Sequence, residues 1–521
     1  MSSTALLEED LTAAPPPAAR SNPNSGPCAT PRATQIVQVI VLAFLFTAPA
    51  LRVIHSGTIG DNDIWWHLST GNWILQHHAI PRVDLFSATV GGQPWQPYSW
   101  LFEVLTAKLF QYLGLAGIVT YTALLIVAIT VALYHLIRRL QADFTISVLL
   151  TSVIGLIIGH LETPRPWLFT ILFFVLEVDI LMHHRKTGKL REFLWLPALF
   201  ALWSNLHIQF INGLLVLGLA LAASLAESLA ASASPRWTAV RRPAFLWLGA
   251  TLLASLIATF ANPFGWHIYR VAYDLAAQPG VFNKISELQA VPFRAPSDFL
   301  LLFFALASTA ALARSKRIPL FETGLLLFAV YLSFRSQRDV WIMAVAAAAI
   351  LAAAIPSQRD ATSATPSTNN NPTQPPAFAV PAALLLTLIA SLLGFRAMHI
   401  NNTRLAGFQS RDLPVKAVDF VQQHHLSGPL FNDYGWGSYL IWSLKIPVSI
   451  DGRAALYGDP RIDRSVSTWS GEPDWHSDSQ LTHANLVIGP LKSPLTQLLR
   501  LDPHFQLVYE DKQAAVFIAR R

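Results

Sequence analysis

The chain has 521 residues, 53% of them hydrophobic and only 13% charged, with a mean hydropathy of +0.41; soluble globular chains carry roughly 25% charged residues. Water is therefore not its main solvent. A net charge of +6 could indicate a nucleic-acid partner, but Lys and Arg fall in short clusters between apolar runs, as in loops flanking membrane spans, and nucleic-acid binding is excluded on that pattern.

Residues 1–33 are rich in Pro, Ala and Ser and begin with Glu8, Glu9 and Asp10 instead of a cationic signal-peptide start. They read as a disordered cytoplasmic tail before an uncleaved first span. The single cysteine, Cys28, lies in this tail, so no intramolecular disulfide, CxxC metal site or cysteine nucleophile is available.

Apolar runs follow at 34–54, 116–137, 144–160, 167–182, 193–206, 210–232, 244–261, 298–313, 319–334, 340–356 and 378–396. They predict about eleven transmembrane helices, with 193–206 and 319–334 the shortest candidates. With the N-terminus in the cytoplasm, alternate loops should be basic. Those loops hold Arg138 and Arg139, the run 183–191 (HHRKTGKLR), Arg236 with Arg241 and Arg242, and Arg314 with Lys316 and Arg317. The same alternation leaves the linker 357–377 with Arg359 in the cytoplasm and everything after 397 outside.

Two opposite-side loops are long, 55–115 and 262–297. Within the first, WLFEVLTAKLFQYLGL (100–115) has helical apolar spacing that suits either a helix in the membrane interface or one packed on its neighbours. From 397 to 521 the composition becomes that of a soluble domain. Its stretches GPLFNDY, KIPVSIDG, ANLVIGP, HFQLVYE and AAVFIAR read as strands, the last two as a hairpin, with a helix over 413–424. The expected architecture is a polytopic α-helical membrane protein with a small C-terminal α/β extracytoplasmic domain.

Candidate chemistry begins at GDNDIWWHLSTGNWIL, just beyond the first span. Asp61 and Asp63, one residue apart, could hold a divalent cation such as Mg or Mn through hard oxygen ligands, or one could act as a base; His67 follows beside Trp65 and Trp66. The alternative is a solvated loop with Trp anchors. Arg165, Arg294, Arg335 and Arg338 break the positive-inside pattern. Guanidinium forks suit phosphate, and Arg335 and Arg338 would share one face of a helical turn; snorkelling to lipid headgroups is the competing explanation. Asn205, His207 and Gln209 could line a cavity or join helices. In the external domain LFNDYGWGSYLIW carries Asp433 and Tyr434, and SIDGRAALYGD carries Asp451 and Arg453, which could face a cleft or form a structural ion pair. No P-loop, GxGxxG, HExxH or GxSxG occurs, which argues against nucleotide-driven transport, Rossmann cofactors and familiar hydrolases.

An acidic pair in the first external loop of a many-helix protein resembles the C-type glycosyltransferase (GT-C) superfamily. DNDIWWHLSTGNWIL, IPRVDLFS and PWQPYSWLFEVL most resemble a bacterial GT-C-like group of largely unassigned substrate. The DYG of Asp433, Tyr434 and Gly435 is similar to the end of the WWDYG signature of oligosaccharyltransferases, although Leu430, Phe431 and Asn432 stand in place of the paired Trp. The resemblance implies transfer of a sugar from a polyprenyl-phosphate donor to a glycan, lipid or protein acceptor at the outer face of a bacterial inner membrane. Asp61 or Asp63 would then be catalytic or metal-binding, Arg165, Arg335 and Arg338 would take the donor phosphate, and His67, Asp433, Tyr434, Asp451 and Arg453 would line the acceptor side. A non-catalytic membrane scaffold and a transporter or flippase are the competing expectations.

Overall fold

The computed structural model describes residues 32–57, 61–231, 243–277, 285–356 and 374–520. The tail 1–31 with Cys28, the cluster Arg236, Arg241 and Arg242, and linker residues 357–373 with Arg359 lie outside them.

Each of the eleven apolar runs is a helix: α1 (Arg32–Ser56), α4 (Leu115–Leu140), α5 (Phe144–Ile158), α6 (Trp167–Thr187), α7 (Leu196–Leu206), α8 (Phe210–Ala231), α9 (Pro243–Ala258), α11 (Pro296–Ala313), α12 (Leu320–Arg335), α13 (Val340–Ala354) and α14 (Ala379–Ala397). Eight helical stretches among the described residues are long and apolar enough to cross a membrane; α7, α9 and α12 are shorter. The chain is a polytopic α-helical membrane protein. Alanine-rich α13 runs through the middle of the bundle with twelve of its 15 residues buried, because small side chains let neighbouring backbones approach where water supplies no driving force. At the periphery α14 packs on α1, where Thr47 donates to Thr387 (3.0 Å), and it exposes Leu385, Leu388, Leu392 and Leu393. Asp179 pairs with Arg139, while Arg185 takes Glu227 and Glu322.

The first loop holds α2 (Ile64–His77) and α3 (Trp100–Leu113). Of the two expectations for α3, packing on a neighbour is the one met: it buries Phe102, Glu103, Thr106 and Ala107 and exposes Tyr112 and Leu113. The crossing is close because Gly71 of α2 has no side chain; a Cβ there would overlap the Glu103 carbonyl. The second long loop carries α10 (His267–Ala276).

After α15 (Asn402–Gln409) and α16 (Val415–Gln423) comes a four-stranded sheet of β1 (Leu430–Asn432), β2 (Leu486–Pro490), β3 (Phe505–Glu510) and β4 (Ala514–Ala519) in the order β1-β2-β4-β3. β1 and β2 are parallel, and β3 and β4 form the expected antiparallel hairpin. KIPVSIDG is not a sheet strand. Its backbone turns to the first loop, Val448 N–H donating to Phe86 O (3.0 Å) and Ala88 N–H to Val448 O (2.8 Å), and its Ser449 N–H donates to Asn432 Oδ1 (2.9 Å). It therefore stitches the domain to the membrane body. Helices α17 (Gly437–Leu444), α18 (Ala454–Trp469), α19 (Ser479–Thr482) and α20 (Pro494–Leu501) complete the domain.

Candidate active site

Between the end of the helix bundle and the C-terminal domain lies a cavity of about 1390 Å³ whose walls include Asp61, Asp63, His67, Arg165, Arg335, Arg338, Tyr434 and Arg453. Residues more than 370 positions apart meet there because α2 packs on α17: Trp65 lies edge-on to Tyr439 at 5.3 Å, and Asn62 Nδ2 donates to Gly435 O (2.7 Å).

Asp61 and Asp63 are not equivalent. Asp61 is buried; one of its carboxylate oxygens accepts the Asp63 backbone N–H (2.9 Å) and the other pairs with Arg165 Nε. Asp63 is held from farther away, by Arg165 Nη1 at 3.1 Å and the Ser438 hydroxyl at 3.5 Å. Burial, then the neighbouring charges of Glu287 and Asp451, push the Asp63 carboxyl up to about 7, against the Ser438 hydrogen bond. Its approach to the domain depends on Gly452, where a Cβ would overlap Asp63 Oδ1.

Arg165 lies between carboxylates from three directions, reaching Glu287 Oε1 at 3.2 Å in addition to Asp61 and Asp63, with its guanidinium over Trp167. Burial pulls its pKa down, with Glu287 the leading charge opposing this. Arg338 Nη1 stands 3.8 Å from the same Glu287 oxygen. Arg335 and Arg338 do not share a helical turn as expected, since α12 ends at Arg335 and Ser336 is extended (φ −142°, ψ 123°) before a 3₁₀ turn over Gln337–Asp339. Both nevertheless reach the cavity wall.

One oxygen of each acid, Asp61 Oδ2 and Asp63 Oδ2, is engaged by the Arg165 guanidinium, and no cluster of three or more His, Cys, Asp or Glu placed for a metal occurs among the described residues.

The other candidates separate. Tyr434 is on the wall, its hydroxyl pushed above its ordinary range by burial and then by Asp63 and Asp451. Asp433 caps the adjoining turn through Gly435 N–H (2.9 Å), and burial raises its carboxyl; it is not among the wall residues. Asp451 is fully buried behind the wall, where it binds Arg453 Nε and Nη2 (2.9 and 2.7 Å) and accepts from the Tyr457 hydroxyl (2.5 Å). Arg453 also reaches Asp84 of the first loop (2.5 Å) and stacks on Trp95, so the ion-pair alternative describes this pair, with one edge of Arg453 open to the cavity. His207 and Gln209 line the cavity. Asn205 instead ties Trp100 Nε1 (2.8 Å) to the Ala261 carbonyl. Arg294 meets Asp298 through its backbone and is not on the wall.

Sequence reasoning missed Glu287, Glu103, Asp84 and Gly452. Asp84 and Glu103 sit in the very stretches IPRVDLFS and PWQPYSWLFEVL, and Glu287 in the long second loop, but nothing in their spacing announces their partners.

No family model matches the chain, and no curated protein matches it. Among solved structures it is similar to the Archaeoglobus fulgidus oligosaccharyltransferase tethered to an acceptor peptide containing the NVT sequon (12% identity, TM-score 0.47, 88% of this chain and 69% of that one). It is also similar to ArnT from Cupriavidus metallidurans bound to undecaprenyl phosphate (15%, 0.45, 91% and 97%) and to the same protein in the apo state (15%, 0.47, 93% and 98%).

Proposed function

We propose that the chain is a membrane glycosyltransferase that moves a sugar from a polyprenyl-phosphate donor to an acceptor at the outer face of a bacterial inner membrane, with the N-terminus cytoplasmic and the C-terminal domain external. The observation that carries this reading is the meeting, in one cavity at the end of the helix bundle, of the Asp61–Asp63 pair with Arg165 and Arg338. The bundle offers apolar surface for the lipid tail, and the arginines offer forked donors for its phosphate. Asp63, poised near neutrality, suits a base that takes the acceptor's proton while the sugar's C1–O bond to phosphate breaks and the new bond forms on the opposite face. Asp61 positions Arg165. The donor class comes from the sequence resemblance, and the burial of Asp61 and Arg453 at the cavity favours the electrostatics such a transfer needs.

The test is transfer of radiolabelled sugar from a panel of polyprenyl-phosphate sugars in membranes expressing wild type, Asp61→Asn or Asp63→Asn at matched protein levels. Transfer by wild type, abolished in Asp63→Asn and reduced in Asp61→Asn, is expected. Background label from all three would favour a scaffold.

A further inference from the structure

On the cavity wall His67, with Glu103 behind it, forms a pair that the proposed transfer has not used. His67 follows Asp63 by one helical turn, so the two project from the same face of α2. Its ring lines the cavity, while Nδ1 points away to Glu103 Oε1 at 3.3 Å. The ring is fixed by Trp66 on one side (centroids 3.6 Å apart) and by Phe102 edge-on (4.9 Å). Glu103 is fully buried and its Oε2 has no hydrogen-bond partner.

An ionised carboxylate with one oxygen bare in such a place carries a large desolvation penalty. The nearby cation, Arg453, is already committed to Asp84 and Asp451. A protonated Glu103 removes the conflict, since its hydroxyl donates to His67 Nδ1, which leaves the imidazole proton on Nε2, the nitrogen turned from Glu103. Burial acts on both groups in the same sense, raising the Glu103 carboxyl and lowering the His67 imidazole, with His207 the next influence on His67. The charged and titratable groups around the pair are His207 before α8 near His67, Arg453 from the domain and Tyr98 before α3 near Glu103, with Asp63 capping α2 one turn before His67.

We propose that Glu103 is a positioning residue that locks His67 as a neutral Nε2–H donor beside Asp63, and that the acceptor nucleophile is a hydroxyl oxygen. The inference rests on the transferase reading. A hydroxyl can give its proton to Asp63 and accept a hydrogen bond from Nε2–H at the same moment, whereas an amide nitrogen has no free lone pair to accept it. In the balanced step the acceptor O–H breaks to Asp63, the oxygen bonds the sugar's C1, and the C1–O bond to phosphate breaks with its electron pair.

The experiment measures transfer against pH in membranes bearing wild type, His67→Phe, His67→Gln, Glu103→Gln and Glu103→Leu, with thermal stability of the purified chains alongside. His67→Phe should lose about 10²-fold, the usual effect of deleting one preorganised donor, and His67→Gln, whose amide reaches the Nε2 position, should recover much of it. Glu103→Gln should keep activity and stability because an amide N–H replaces the carboxyl O–H. Glu103→Leu should lower the rate across the whole pH range, because the imidazole is then free to carry its proton on Nδ1 and present a bare Nε2. The product should carry an oxygen-linked sugar. A Glu103→Gln variant as damaged as Glu103→Leu overturns the protonated pair, and a nitrogen-linked product overturns the hydroxyl assignment. If wild type transfers nothing, the transferase reading fails, and the stability of Glu103→Gln against Glu103→Leu still decides the state of the pair.

Discussion

Glu287 offers a direct way to move the Asp63 carboxyl without touching it. The two acids approach the same nitrogen, Arg165 Nη1, from 3.1 and 3.2 Å, so these oxygens stand no more than about 6 Å apart. At an effective dielectric of about 20 to 40 two unit charges at that distance interact by about 1.4 to 2.8 kcal/mol, equivalent to about one to two pKa units. Glu287→Gln removes a negative neighbour and frees Arg165 for Asp63; both changes favour the ionised carboxylate, so its pKa falls from about 7. A base must be ionised to act, so wild-type transfer should rise with pH through about 7 and the variant's rise should come one to two units earlier. At pH 6 about a tenth of wild-type Asp63 is ionised and about half to nine-tenths in the variant, a gain of about five- to tenfold in relative rate. The assay is initial transfer rate across pH 5 to 9, each protein scaled to its own plateau. An acid limb that stays in place, or moves to higher pH, refutes the assignment of Asp63 as the base.

Three further perturbations bear on the same seam. Gly452→Ala places a methyl where Asp63 Oδ1 sits, so transfer should fall at least tenfold while the chain still reaches the membrane in normal amount; undiminished transfer would mean the carboxylate acts from elsewhere. Arg453→Met strands Asp84 and Asp451 in the interior and should cost about 3–5 kcal/mol in detergent unfolding experiments, with recovery when both acids are also changed to Asn. Because Arg165 engages the acidic pair, membranes stripped with EDTA should transfer as before; a loss reversed by Mg or Mn would show that a metal displaces the guanidinium.

How much of this was legible in the sequence differs between membrane body and site. All eleven apolar runs became helices because bilayer length and hydrophobicity are local properties of each run. The hairpin at the C-terminus was equally local, alternating residues with a turn between them. KIPVSIDG misled because its β-like composition is satisfied by the first loop some 360 residues upstream, a tertiary choice that no window reveals. The acidic pair and Arg165 stood out because charges near a membrane are rare. Glu103 and Glu287 did not, since a carboxylate in a loop or on an amphipathic helix looks solvated until the fold covers it.

The distribution of the site over separate segments has a chemical consequence. Asp63 comes from the cap of α2, Arg165 from the turn before α6, Glu287 from the second long loop, and Ser438 and Gly452 from the domain. No one of these segments perturbs the carboxylate alone, because its pKa is raised mainly by the enclosure they create together. On the proposed reading, a donor phosphate bound by Arg165 and Arg338 would add negative charge close to Asp63 and draw the guanidinium away from it. Both effects push the carboxyl further up, so with the donor seated a smaller share of Asp63 is ionised at a given pH, and each ionised carboxylate is a stronger base. Coupling base strength to donor binding in this way would hold an acceptor hydroxyl inactive in an empty cavity, and it requires the domain to stay docked on the bundle throughout, which is the role the buried Arg453 network performs.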